Sequence, residues 1–272
     1  MPLTHPAPEI VRTAAAGAAQ ATLVLVHGAW HGAWCWQDGF AQRLAARGIT
    51  SVAPSLPAHA GSASSRRLNR LRMRDYVDAV LAVVAEETTR ASGPVFLAGH
   101  SMGGAITQQL LARTDRPALA GAALLAAMPP KGVISVTLGL ARHETGTFLA
   151  ANATLDLGRL VRTPEQIRER FFRPGTSASV VEACRARVQS ESYLAFLDML
   201  ALDRPKPRPV SEPILVVGAG EDTIFGADDV AATAAAWGTA PVMLPDLGHD
   251  LMLDDGWERT ADLLADWVLT HA

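Results

Sequence analysis

Gly99-His100-Ser101-Met102-Gly103 sets one hydroxyl among small residues, after the apolar run Pro94 to Ala98 and before Gly104-Ala-Ile-Thr-Gln-Gln-Leu-Leu111, which has helical apolar spacing. A serine on so sharp a strand-to-helix turn stands exposed at a helix N-terminus, whose partial positive charge favours an oxyanion. Gly99, Gly103 and Gly104 let neighbouring backbone approach closely. The plainer reading is a glycine-rich turn with an incidental serine, so the motif needs partners.

A serine becomes nucleophilic when a base takes its proton, and imidazole is suited to that because it titrates near working pH. His249, in Pro245-Asp-Leu-Gly-His-Asp250, follows the last apolar run and precedes the final helix, where a loop at the carboxyl edge of a sheet is expected. His5, His143 and His271 fall in a tail or in a long insertion, and His59 and His100 on other loops. A carboxylate should orient the base: in Ile214-Leu-Val-Val-Gly-Ala-Gly-Glu-Asp-Thr-Ile-Phe225 the strand ends near Gly218 and Asp222 follows, with Glu221 as its adjacent rival. Two backbone N–H donors must face the oxyanion. Met102 supplies one; His27-Gly28-Ala29-Trp30 resembles an H-G-x oxyanion loop and supplies the other from Ala29, with Trp30 the alternative. His27 is expected to brace that loop by hydrogen bonds, and His31, Trp34 and Trp36 to pack.

The elements that must position these groups alternate. Short apolar, β-rich runs at Ala21 to Val26, Thr50 to Ala53, Pro94 to Ala98, Ala120 to Ala126, Pro213 to Val217 and Pro241 to Leu244 read as strands buried on both faces. Asp38 to Arg47, Met73 to Arg90, Met102 to Arg113, Asp228 to Trp237 and Trp257 to Thr270 have helical spacing. This predicts a doubly wound, mostly parallel α/β sheet. Pro129 to Pro209 carries helical stripes and no convincing strand, so residues 1–128 and 210–272 are expected to form the core and 129–209 a helical cap. Most of its apolar residues should pack it against the core domain; about a quarter should line a pocket. Its arginines, Arg142, Arg159, Arg162, Arg168 and Arg173 among them, are expected to form a solvated face rather than to attract an acidic substrate.

The 272 residues are 49% hydrophobic and 19% charged with a net charge of -3, which argues against disorder and gives no electrostatic reason to bind nucleic acid or an anionic membrane. Met1 to Gln20 lacks a basic start followed by an apolar run, and no segment has membrane-spanning length. Cys35 and Cys184 lack metal-ligand spacing and read as free thiols in a reducing compartment, which predicts a cytoplasmic protein with a small-molecule partner. There is no H-E-x-x-H, and the 99–104 turn lacks the lysine of a phosphate-binding loop, so neither metal nor organic cofactor is expected.

Taken together, the ordered elements resemble the α/β-hydrolase superfamily over nearly the whole chain, including its Ser, Asp, His order. His27-Gly-Ala-Trp-His-Gly-Ala-Trp-Cys-Trp36 and Asp222-Thr-Ile-Phe225 particularly resemble the branch of plant methyl esterases and hydroxynitrile lyases and related bacterial esterases. The resemblance implies an α/β-hydrolase fold and a serine carboxylesterase acting through an acyl-enzyme on Ser101, with no cofactor. The lyases of that branch carry threonine where this chain has Gly28 and lysine where it has Asp250, and both departures favour ester hydrolysis. Ser101 excludes the mechanism of relatives with an aspartate nucleophile. A third departure is Ser55-Leu-Pro-Ala-His-Ala-Gly-Ser62, where many relatives begin with aspartate. A lactone, a monoacylglycerol or lysophospholipid, a carbon–carbon bond, or ligand binding with incidental turnover are the alternatives.

Overall fold

Residues 8–272 are described by the computed structural model; His5 and the first seven residues of the Met1 to Gln20 stretch lie outside them. The apolar runs become β2 (Ala21–Val26), β3 (Ile49–Pro54), β4 (Val95–His100), β5 (Gly121–Leu125), β6 (Ile214–Ala219) and β7 (Pro241–Leu244), all parallel where they pair. A further strand, β1 (Ile10–Thr13), pairs antiparallel with β3 and was not foreseen: its four residues are mostly half-exposed and carry an arginine, so they lack an apolar run. The sheet order is β1-β3-β2-β4-β5-β6-β7.

That order reverses direction at β2. The chain moves outward from β2 to β3, then returns to place β4 on the other side of β2, with Val26 opposite Gly99. Loops leaving the carboxyl ends of β2 and β4 therefore diverge and open a crevice between them, the usual ligand position in an open α/β sheet. The loop after β2 carries His27 to His31 and the turn after β4 carries Ser101.

Alternation along β2 divides the core. Leu23 and Leu25 pack with residues of α1 (Phe40–Ala46) and α10 (Glu258–Thr270) on one face. Val24 and Val26 pack with α2 (Met73–Arg90), α3 (Met102–Leu111) and α9 (Ala227–Ala236) on the other. Trp34 and Trp36 are buried, as expected of packing residues. Among the described residues no helix is long and apolar enough to cross a membrane.

Between β5 and β6 the chain forms only helices: α4 (Ile134–His143), α5 (Thr145–Thr154), α6 (Pro164–Phe171), α7 (Ala178–Arg185) and α8 (Tyr193–Leu197), which runs into a π-turn at Asp198–Leu202. Buried carboxylates join this segment to the sheet domain. Asp198 accepts from Arg72 Nε at 2.7 Å and from the Met73 N–H at 3.0 Å, at the start of α2. From the other side, Asp254 accepts the backbone N–H groups of Gly248 at 2.7 Å and Arg173 at 3.2 Å, and the Thr176 hydroxyl. Such groups are excluded from water and so hold only with their hydrogen bonds made.

The corner at Ser55, where the resemblance leads to an expectation of aspartate, is built around a hydroxyl and a carboxylate from another segment. Ser55 Oγ accepts the Ala33 N–H at 2.9 Å and donates to Glu9, whose carboxylate also takes the Gly61 N–H at 3.1 Å. The negative charge at this corner thus comes from Glu9, just before β1, instead of position 55.

Asp198→Ala leaves the Met73 N–H buried without an acceptor, while Arg72, about a third exposed, can turn to water. The substitution is expected to lower unfolding free energy by about 1–3 kcal/mol, read as a lower urea midpoint at unchanged m. An unchanged midpoint would refute the anchoring role.

Candidate active site

Ser101 has φ 53° and ψ -114°, outside the comfortable regions for a residue with a side chain. Its neighbours hold it there. A Cβ at Gly99 would lie 2.2 Å from the Gly103 carbonyl oxygen, and one at Gly103 would lie 2.4 Å from that of Val26 and 2.5 Å from that of His27. The Ser101 N–H donates to the Leu125 carbonyl at 3.0 Å, and the Ser101 carbonyl accepts from Met128 N–H at 3.1 Å. Strain of this kind persists where surrounding structure over-determines it. Met102 opens α3, where the first N–H groups have no acceptor within the helix.

His249 Nδ1 lies 2.8 Å from Asp222 Oδ2, and both side chains are buried. A carboxylate only accepts, so Nδ1 carries a proton, and in the neutral ring the lone pair is on Nε2. Asp222 Oδ1 accepts from the N–H groups of Ile224 at 2.7 Å and Phe225 at 3.0 Å, while the Phe225 ring meets His249 edge-on with centroids 5.5 Å apart. Glu221, the rival carboxylate, is exposed. The structure thus brings Asp222 and His249 together, but among the described residues no hydrogen bond joins Ser101 Oγ to His249 Nε2. The link runs through His100, whose Nε2–H donates to the His249 carbonyl at 3.0 Å and whose ring centroid is 4.8 Å from that of His249. Catalytic contacts of this type commonly tighten only with substrate bound.

The loop after β2 is held from both sides. His27 Nε2 accepts the Leu56 N–H at 3.0 Å, so its proton is on Nδ1, which donates to the Gly28 carbonyl at 2.8 Å. That carbonyl shares a peptide with the Ala29 N–H, which has no acceptor among the described residues. The Trp30 N–H, by contrast, points to Glu191 Oε2 at 3.4 Å. Glu191 also accepts from His59 Nε2 at 2.9 Å and Tyr76 OH at 3.0 Å. Of the two donors expected on this loop, Ala29 is the unengaged one. A Cβ at Gly28 would lie 2.9 Å from His100 Nδ1 and 3.0 Å from Ser101 Cβ, so a threonine there would force the turn to move. Asp250 does not face the crevice: it is buried, with Oδ2 2.9 Å from His31 Nε2.

Ser101, Met102, Ala29 and Trp30 line a cavity of about 470 Å³, with apolar walls including Met128, Val136, Leu140, Leu160, Phe196 and Met199. Most of this wall comes from the helical segment. The arginine at the cavity is Arg170, which was not among those singled out from sequence; it is paired with Glu144 at 2.6 Å. Arg159 and Arg162 lie instead near Asp156. His31, Cys184 and Asp250 bring a nitrogen, a sulfur and an oxygen within 4.8 Å of one another, a composition that can hold a metal. His31 nitrogens are already committed to Asp250 and to the Ala29 carbonyl at 2.7 Å, and burial raises the Cys184 thiol. The cluster is an ion pair with a protonated thiol beside it.

A family model described as the alpha/beta hydrolase family matches residues 23–263. The chain belongs to this family. Solved structures similar to this hydrolase include a thermophilic esterase from Thermogutta terrifontis, with TM-score 0.70 and 19% identity over 97% of this chain and 94% of that one. A monoacylglycerol lipase from Paleococcus ferrophilus has TM-score 0.69 and 17% identity over 98% and 100%. A carbendazim hydrolyzing esterase from Nocardioides sp. (strain SG-4G) is 34% identical over 89 residues, which span 32% of this chain and only 34% of that protein.

Four buried histidines of this α/β hydrolase split into two charge states. Burial pushes His27 well below 6.5 and His100 down to about 3. Burial also opposes the charged forms of His31 and His59, but the carboxylates of Asp250 and Glu191 outweigh it and hold both above 6.5. On unfolding, His27 and His100 take up protons in acid, so their contribution is present above pH 6.5 and lost as pH falls toward the folded values. His31 and His59 release protons on unfolding above pH 6.5, so theirs is complete below it and lost as pH rises through the folded values. Melting temperature is therefore expected to peak near pH 6.5 and fall on both sides, as a calorimetric scan from about pH 4 to about pH 9 will show. A steady rise into acid would contradict these charge states.

Proposed function

We propose that the protein is a serine carboxylesterase in which residues 129–209 cap a core of residues 1–128 and 210–272. His249, oriented by Asp222, removes the Ser101 proton through Nε2 as Oγ attacks the ester carbonyl. The N–H groups of Met102 and Ala29 hold the oxyanion, and the alcohol leaves with the proton from His249. Water, activated by the same imidazole, then releases the acid from Ser101. The observation that carries this reading is the strained Ser101 on the cavity wall, next in sequence to His100, which bonds the carbonyl of His249, whose own Nδ1 is committed to a buried carboxylate at 2.8 Å. The esterase and lipase among the similar structures, and the partial match to an esterase, support the same bond class.

The cavity suits an uncharged substrate of small or medium size. Its wall is mainly apolar, and its guanidinium already faces Glu144, so a carboxylate on the substrate would meet a neutralised arginine. Lengthening the acyl chain should thus improve turnover by up to about fourfold per CH₂, from about 0.8 kcal/mol of burial each. With p-nitrophenyl esters, butyrate is expected to exceed acetate in kcat/KM by about tenfold. Equal rates for the two would argue that the cavity does not take the acyl group.

Ser101→Ala is expected to lower kcat by at least about 10³-fold in a folded protein, and Asp222→Asn by about 10⁴-fold with little change in KM, because the wrong histidine tautomer then faces Ser101. Near wild-type turnover by Ser101→Ala would sink the mechanism. Tight ligand binding with less than one turnover per site by the wild-type protein would favour the receptor reading instead.

A further inference from the structure

We propose that the buried pair His31 and Asp250 is a positioning device that locks the oxyanion loop to the loop carrying His249. The inference rests on the roles given above to Ser101, His249 and Ala29. His31 reaches both loops at once: Nδ1 lies 2.7 Å from the Ala29 carbonyl and Nε2 lies 2.9 Å from Asp250 Oδ2. Asp250 is the residue after His249, and its own N–H is fixed by the Phe171 carbonyl at 2.8 Å. Both side chains are buried and turned toward each other, so the pair acts through the loops that it joins. The His31 ring stacks on Trp34 and meets Phe171 edge-on, with centroids 5.1 Å apart in each case, which leaves it no path to water.

Charge is what allows the double contact. Both partners of His31 are acceptors, so both ring nitrogens must carry protons, and only imidazolium has two. Asp250 supplies the countercharge in a site from which water is excluded. If the carboxylate became an amide, burial would drive His31 to the neutral form, and one of its two contacts would be lost. The oxyanion loop and His249 would then share no direct strut on this side. Catalysis would suffer more than binding, because the Ala29 N–H is called upon when charge develops on the carbonyl oxygen.

The ionised and titratable groups around His31 are Asp250 from the His249 loop, His100 from the end of β4, Cys184 from α7, Cys35 from the short helical turn Ala33–Trp36, His27 and His59 from nearby loops, and Arg187, whose guanidinium lies 4.6 Å from the centre of the Trp34 ring that stacks on His31. Of these, Asp250 makes the direct contact that favours imidazolium, against the burial that opposes it. Loss of its charge should therefore bring the alkaline limit of activity to lower pH.

Wild type, Asp250→Asn, His31→Gln and Ser101→Ala are compared with p-nitrophenyl butyrate. Asp250→Asn and His31→Gln are each expected to lower kcat about 10- to 100-fold with KM changed less than about threefold, and Asp250→Asn to move the alkaline limb of kcat/KM toward neutrality. A purely structural pair would lower melting temperature while leaving kcat and the pH profile of the folded fraction unchanged, and that result would overturn the inference. Activity surviving in Ser101→Ala would instead overturn the reading on which it rests. Should the pair variants fail to fold, ¹⁵N-histidine spectra of the wild type still decide: besides His59, a second doubly protonated imidazole shielded from exchange, assigned to His31 through its contact with the Trp34 ring, is expected at about pH 8, and its absence refutes the proposal.

Discussion

The close approach of Gly103 to the carbonyls of Val26 and His27 is the contact on which the site depends. It lets α3 begin directly behind the end of β2, so the serine turn and the β2 loop share one wall of the crevice. Any side chain at position 103 would separate them. With the approach in place, Ser101 is pressed into its positive φ, Met102 stands on the cavity wall, and Ala29 and Trp30 of the β2 loop stand on the same wall. Because the sheet reverses its order between these same two strands, the crevice is a consequence of topology and the contact only sets its width.

Much of this was legible in the sequence because the signals were local. Six apolar runs marked six parallel strands, and glycines at 99, 103 and 104 announced a turn that needs them. Asp222 and His249 follow the ends of β6 and β7 almost immediately, so reading the strand ends also located the groups. What escaped is non-local. β1 has too few apolar residues to register, and its place is set by pairing with β3 some forty residues on. Glu191, Asp198 and Asp254 carry no local signal of burial, since it depends on which distant N–H groups and rings converge on them. Asp250 enters the sequence reading only as an acidic residue where the lyases carry lysine, and its side chain turns inward to His31. His31 was assigned to packing, and it does pack, but its two nitrogens were invisible to a pattern of residue types.

Polar burial therefore does two jobs in this molecule. Asp198 and Asp254 join the helical segment to the sheet domain, the first through the Arg72 guanidinium and the Met73 N–H, the second mainly through backbone N–H groups. Glu191 and Asp250 hold the two ends of the Ala29–Trp30 peptide, the first through the Trp30 N–H and the second through His31 on the Ala29 carbonyl. The aromatic ring of Trp30 extends the same peptide outward, donating from Nε1 to the Leu157 carbonyl at 3.1 Å. One short loop thus receives constraints from both sides of the crevice.

The helical segment is unevenly tied. Its second half, from α6 to the π-turn, carries the buried residues and the carboxylate anchors. The first half is lighter: α4 has no buried residue and α5 only Ala151, yet Val136 and Leu140 of α4 stand on the cavity wall. The evolutionary consequence is a division of labour along the chain. Substitutions in α4 can reshape what the cavity accepts at little expense to folding, so a lineage built on this scaffold is free to explore new substrates there while the groups around Ser101 stay as they are.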